Sequence, residues 1–143
     1  QKNRDMKKMM FTLLVTVFSL SGFAQKATNS AESVVKFKEL KHNFGKIKQG
    51  VPVTHDFEFT NISAGAVIVE TAAASCGCTT PTWPQAPVMK SKTDKIKAGF
   101  NAAAPGPFEK TVYVKLKGVD APMELKIAGE VLSAADYDKL NKK

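Results

Sequence analysis

The residues best suited to chemistry are Cys76 and Cys78. They are the only two cysteines in the chain, one residue apart in Cys76-Gly77-Cys78 and followed within five residues by the single tryptophan, Trp83. Three kinds of chemistry fit this spacing, and the residues leave all three open. A disulfide is the first. Fully extended, residues two apart lie near the upper limit of the ~4.4–6.8 Å Cα separation a disulfide tolerates, with side chains on opposite faces, so bridging needs a kinked backbone that Gly77 can supply. Such a bridge closes almost no loop and cannot staple distant elements, so it would shape a tight turn with Trp83 packed over it. The second is thiol exchange, for which a strained local bond is an oxidant or isomerase, although no helix start is at hand to lower a thiol pKa. The third is a metal site in which Cys76 and Cys78 are soft donors to Cu(I) or Zn(II), completed by His42 and His55, with Met89 and Met123 as further donors.

Other chemistry has less support. Ser75, Thr79 and Thr80 have no base nearby in sequence. Asp56 and Glu58 share the polar face of one segment, the pattern of a solvated face rather than of an acid–base pair. His55 falls on the apolar parity of the same segment, where a packed core histidine is the competing reading. Asn61-Ile62-Ser63 matches a glycosylation sequon and is read as accidental. There is no phosphate-cradling glycine loop, dinucleotide fingerprint or metalloprotease motif. The expectation is a chain with no catalytic residues.

The compartment decides which of these thiol chemistries is available. Lys7 and Lys8 precede an apolar run from Met9 to Leu20 and then Gly22-Phe23-Ala24, the layout of a secretory signal peptide over residues 1–24. The run is short of the ~20 residues of a membrane span and no second one follows, so the expected mature protein carries no membrane anchor. Cleavage near Ala24 would make it periplasmic or secreted. The five residues before Met6 are foreign to such a leader and point to translation starting at Met6. Export favours oxidised cysteines. The net charge of +8 falls to +5 once Lys2, Arg4, Lys7, Lys8 and Asp5 are removed, and no arginine remains. Without arginine a nucleic-acid partner is not expected.

The scaffold reads as β-structure. Residues 25–33 are small and polar, a flexible leader. Residues 34–132 hold short alternating segments: Val35 and Phe37; then Val51, Val53, His55, Phe57 and Phe59; then Ile96, Ala98 and Phe100; then Val112, Val114 and Leu116; then Met123, Leu125 and Ile127. Residues 65–72 are more continuously apolar and suggest a central strand. Turn signals stand at His42–Gly45, Gln49-Gly50, Asn61–Gly65, Pro105–Pro107 and Gly118–Pro122. In residues 72–91, Pro81, Pro84 and Pro87 predict a long irregular loop, with Trp83-Pro84 the step best suited to a cis bond. The polar tail, residues 133–143, has room for a short helix capped by Ser133. The spacing predicts one domain, an all-β, antiparallel sandwich of about seven strands.

Phe57-x-Phe59-x-Asn61, the "SCGCTTPTWP" loop, the "PGPFEKTVYV" return and the early "HNFGKIKQG" together resemble domain of unknown function 1573, short exported bacterial proteins, over about Phe37 to Val131. The resemblance implies an immunoglobulin-like sandwich related to major-sperm-protein and cilia-associated modules, an interaction domain with no established enzyme activity. Carried over position by position, the motif falls on Cys76, Gly77, Cys78, Thr79, Pro81 and Trp83, with Gly45, Phe57, Phe59 and Asn61 as scaffold. Ser91-Lys92 stands where the family tends to have a Pro-Gly turn, and "NISAG" is a stretched turn. The expected function is a noncatalytic binding or assembly module of the cell envelope, its partner another envelope protein or a glycan. The alternative is a thiol-redox or Cu(I)/Zn(II)-handling protein using the Cys76-Gly77-Cys78 loop.

Overall fold

The computed structural model describes residues 29–142; residues 1–28, on which the expected leader falls, and Lys143 lie outside the described residues. A 3-10 turn, Ala31–Ser33, leads into eight strands: β1 Val35–Phe37, β2 Lys41–Lys48, β3 Val53–Asn61, β4 Val69–Ala74, β5 Thr79–Thr82, β6 Thr93–Phe100, β7 Gly106–Leu116 and β8 Met123–Leu132. They form two four-stranded sheets, β1-β3-β6-β5 and β2-β8-β7-β4. Every pairing is antiparallel except β2 with β8, which runs parallel. The expected sandwich is therefore present, with one strand more than anticipated and one parallel seam.

Alternation produces the core directly. Phe57 and Phe59 of β3, Ile96 and Ala98 of β6, Val112, Val114 and Leu116 of β7, and Leu125, Ile127 and Val131 of β8 are all buried, each on the inward parity of its strand. Phe37 lies against Phe59 with ring centroids 5.3 Å apart. The outward residues of β3 face lysines: Asp56 bonds Lys95 at 2.6 Å and Glu58 pairs with Lys38. The Lys95 hydrogen bond holds the Asp56 carboxyl below its ordinary value. Asp56 and Glu58 are thus paired to separate cations on a solvated face, as the alternation indicated.

Several details depart from the sequence expectations. The turn signal at His42–Gly45 lies inside β2. There the Asn43 Oδ1 accepts the Gly45 N–H at 2.8 Å, Gly45 takes φ +68°, and the register with β8 shifts between Asn43 and Lys46. The local turn chemistry is real, but it makes a bulge in a strand rather than a strand end. A Cβ on Gly129 of β8 would come 2.8 Å from the Gly45 carbonyl oxygen, so bulge and neighbour are fitted to each other. Residues 65–72 run into the edge strand β4 rather than a central one, because β4 pairs with β7 on one side and with no strand on the other. Within the proline-rich loop, β5 pairs along the edge of β6 with Pro81 opposite Ala98, a position where proline is tolerated because one side of the strand is free. No peptide bond among the described residues is cis, so Trp83-Pro84 is trans. Pro105-Gly106-Pro107 opens β7, with Gly106 opposite Val131. The leader ends earlier than expected, since Ala31 is buried in the core.

The tail forms a helix, α1, Ala134–Leu140, whose N-cap Ser133 accepts the Asp136 N–H at 3.2 Å. No helix among the described residues is long and apolar enough to cross a membrane.

Ser91, where the family's turn chemistry departs, closes a turn in which the Lys92 N–H donates to the Met89 carbonyl at 3.0 Å, and it takes φ +62°. An L side chain is disfavoured there and glycine is not. Ser91→Gly is expected to raise stability by up to about 1 kcal/mol, read by urea denaturation; a loss of stability would show that the seryl side chain contributes more than its strain costs.

Candidate functional site: the cysteine turn and the histidine stack

The cysteine motif sits where the chain leaves one sheet for the other. β4 ends at Ala74 on the edge of the second sheet, and Ser75 prolongs the ladder, its N–H donating to the Thr111 carbonyl at 2.9 Å. Four residues later Thr79 starts β5, opposite Phe100 in the first sheet. Cys76-Gly77-Cys78 makes the crossing, and the two cysteines form a disulfide with Cα atoms 5.4 Å apart. The kink required for bridging is a hydrogen-bonded turn: the Thr79 N–H donates to the Cys76 carbonyl at 3.3 Å, and the Thr79 hydroxyl, in a buried residue, lies 3.8 Å from Cys76 Sγ.

The inner end of the turn is anchored to the loop after β6. The Asn101 N–H donates to the Cys78 carbonyl at 3.1 Å, and Cys78 packs against the core. Cys78, Phe100, Asn101, Pro105, Pro107 and Phe108 line an open groove of about 230 Å³. Phe100 and Phe108 stack beneath it with centroids 4.1 Å apart. The rim is fastened from below, where the Gly50 N–H donates to the Ala102 carbonyl at 2.9 Å and the Gln49 side-chain amide to Ala103 at 3.0 Å. Trp83 does not line this groove; half-buried beyond the end of β5, it packs against the core. Pro81 is half-buried within β5.

Opening the disulfide should cost little in stability. A three-residue loop removes only about 1–2 kcal/mol of unfolded-state entropy on the chain-entropy model, less than bridges between distant elements. The double variant Cys76→Ser/Cys78→Ser is therefore expected to fold, with a modest fall in Tm measured by thermal denaturation. A collapse of the fold would mean that the turn nucleates the β4–β5 crossing.

The histidines belong to a different place. His42 on β2 and His55 on β3 lie face to face across the sandwich edge, with ring centroids 3.6 Å apart and planes within 5°. Phe57 and Phe44 meet them edge-on, Phe57 against His55 and Phe44 against His42, each at 4.8 Å. Glu39, just before β2, completes the group: its Oε1 lies 2.8 Å from His55 Nε2 and its Oε2 3.8 Å from His42 Nδ1.

The donor set Cys76, Cys78, His42 and His55 is accordingly not assembled. β2 and β4 are opposite edges of the second sheet, three strand spacings of about 4.8 Å apart, and a disulfide offers no thiolate. Met89 is exposed and Met123 is buried in the core. Glu39 went unrecognised in the sequence because its partner His42 was read as part of a turn. Phe108 and Asn101 were missed because the groove depends on a strand, β5, that the prolines concealed.

Two four-stranded sheets with this topology define an immunoglobulin- or PapD-like β-sandwich. The seventh PapD-like domain of human CEP192 superposes with a TM-score of 0.64 at 11% identity, over 81% of this chain and 97% of that one. The chain belongs to the family described as protein of unknown function DUF1573, whose profile matches residues 35–131. A protein of unknown function from Porphyromonas gingivalis W83 is similar at a TM-score of 0.58 and 10% identity over 68% of this chain, which spans 46% of that one. The secreted serine protease VesC from Vibrio cholerae gives 0.58 at 10% identity, over 77% of this chain and 25% of that one. At such identities the likeness is one of fold. Among curated proteins, none matches this sequence.

Proposed function

We propose that this protein is an exported, noncatalytic binding or assembly module of the bacterial cell envelope, and that it holds another envelope protein at the end of the sandwich carrying the Cys76–Cys78 turn. The observation that carries this reading is the tethered groove beside that turn. Pro105, Pro107 and the half-buried Phe108 are held open to solvent over the buried Phe100 by hydrogen bonds from Asn101, Gly50 and Gln49, so little conformational freedom remains to be lost when a partner docks. The disulfide stiffens the same rim and suits the oxidising compartment to which the leader sequence points.

The test is a photo-crosslinking residue at Lys110, on the groove rim, in the producing bacterium, with a second placed at the exposed Glu70 on β4 as control. A discrete protein adduct from position 110, absent from position 70 and recovered in the envelope fraction with a mature N-terminus at Gln25, is the expected result. Adducts only in the cytoplasm, or the same adducts from both positions, would overturn the reading.

A further inference from the structure

We propose that Glu39, His42 and His55 bind a divalent transition-metal ion, at the edge of the sandwich opposite the cysteine turn. The proposal is independent of the binding-module reading. The three donors come from three places in the chain, the link before β2, β2 itself and β3, and their ligand atoms all lie within 4.8 Å of one another. Ligands about 2.0–2.2 Å from a tetrahedral ion stand roughly 3.3 Å apart, so the group has to contract by little more than an ångström. Two imidazoles and one carboxylate suit Zn(II), Ni(II) or Cu(II) better than magnesium or calcium, which prefer oxygen donors alone.

The surroundings leave the donors available. Lys38 and Lys41, which flank Glu39 in sequence, turn to Glu58 and Glu109, and among the described residues no lysine bonds Glu39. Phe44 and Phe57 wall the imidazoles and limit their motion. Glu39, by contrast, is on the solvent side, which gives an ion a way in.

The stack itself dictates how binding would proceed. An imidazole binds metal in the plane of its ring, and two rings stacked within 5° of parallel with centroids 3.6 Å apart cannot both aim a lone pair at one ion. One ring must turn. His42, on an edge strand and with 30% of its side chain exposed against 19% for His55, is the one free to do so. His55 Nε2, which in this arrangement donates its proton to the Glu39 carboxylate, must give that proton up to present a lone pair to the ion. Three protein donors leave the fourth position of a tetrahedral ion for water or an outside ligand.

The test uses the intact protein, purified with its disulfide formed and titrated with Zn(II) by calorimetry and with Co(II) by visible absorbance. The expected result is one ion per chain, with affinity reduced about tenfold or more in Glu39→Gln and in His42→Gln and unchanged in Cys76→Ser/Cys78→Ser. Glu39 is exposed, so Glu39→Gln keeps the fold, which its Tm verifies. Zn(II) should also shift the ring proton resonances of both histidines and leave the Trp83 indole N–H in place. No uptake up to about 1 mM ion, uptake that survives both Glu39→Gln and His42→Gln, or uptake lost only in the folded cysteine variant would each overturn the proposal.

Discussion

Phe57→Ala is expected to destabilise the protein by about 3–5 kcal/mol, a large part of the ~5–15 kcal/mol that holds a domain of this size together. Phe57 is fully buried at the middle of β3, opposite Ile96 of β6, and its ring meets His55 edge-on. Truncation removes its buried apolar surface and leaves a cavity that two paired strands cannot close, because the β3–β6 ladder fixes their separation. Phe57→Leu, which fills most of the space, should cost much less. Urea denaturation of both variants decides the matter: equal and small losses would mean that β3 does not present this face to the core. A specific side effect is also expected, since the His42–His55 stack loses one of its walls and the His55 ring resonances should broaden.

The second large effect is expected at Asn61, the last residue of β3 and, among the described residues, the only fully buried amide side chain. Its Nδ2 donates to the carbonyls of Gly65 at 2.7 Å and Val88 at 2.8 Å, while its Oδ1 accepts from the Ser63 N–H at 2.8 Å and the Ser63 hydroxyl at 2.7 Å. One side chain thus ties the loop after β3 to the segment before β6, where Val67 and Val88 form an isolated bridge. Asn61→Ala removes all four bonds, taking the acceptor from the Ser63 N–H and one of two donors from each of the Gly65 and Val88 carbonyls, at a cost of roughly 3 kcal/mol. Asn61→Asp adds a test of geometry. An ionised carboxylate would face two carbonyl oxygens, so the folded state favours the protonated acid and raises its pKa. The variant should then be nearest to wild-type stability below the unfolded carboxylate value of ~4 and lose stability as pH rises through its folded pKa. A flat difference between pH 4 and 7 would refute this arrangement. In the folded chain both amide hydrogens of Asn61 are engaged in these bonds.

How much of this was legible in the sequence varied with the range of the interaction. β3, β6, β7 and β8 alternate strictly, and their buried residues match the alternation because one face of each packs inward. β2 and β5 were not visible, for opposite reasons. In β2 the Asn43–Gly45 chemistry that ends most strands is absorbed as a bulge, and in β5 the proline that breaks most strands is tolerated on an open edge. Both are decided by which strand lies alongside, and neighbours of that kind are not encoded locally. The Cys76–Cys78 bridge was readable as a local kink, since it involves only three residues. The pairing of His42 with His55 was not, because it requires knowing that β2 lies over β3. Asn61 was marked by a turn signal, a sequon and the family resemblance, but its four partners become apparent only once the loops are placed.

The parallel seam between β2 and β8 also bears on the order of folding. Lys41 pairs beside Lys126, and β8 lies between β2 and β7 in the second sheet. A chain emerging from its N-terminus can assemble β3 with β6 early, but β2 has no ladder to join until the last strand has arrived. The slowest contacts are those of highest sequence separation, and they must pay the closure of nearly the whole domain before any bond rewards it. The second sheet is therefore completed in one late step, and a chain cut short before residue 123 retains the first sheet's strands but loses the centre of the other.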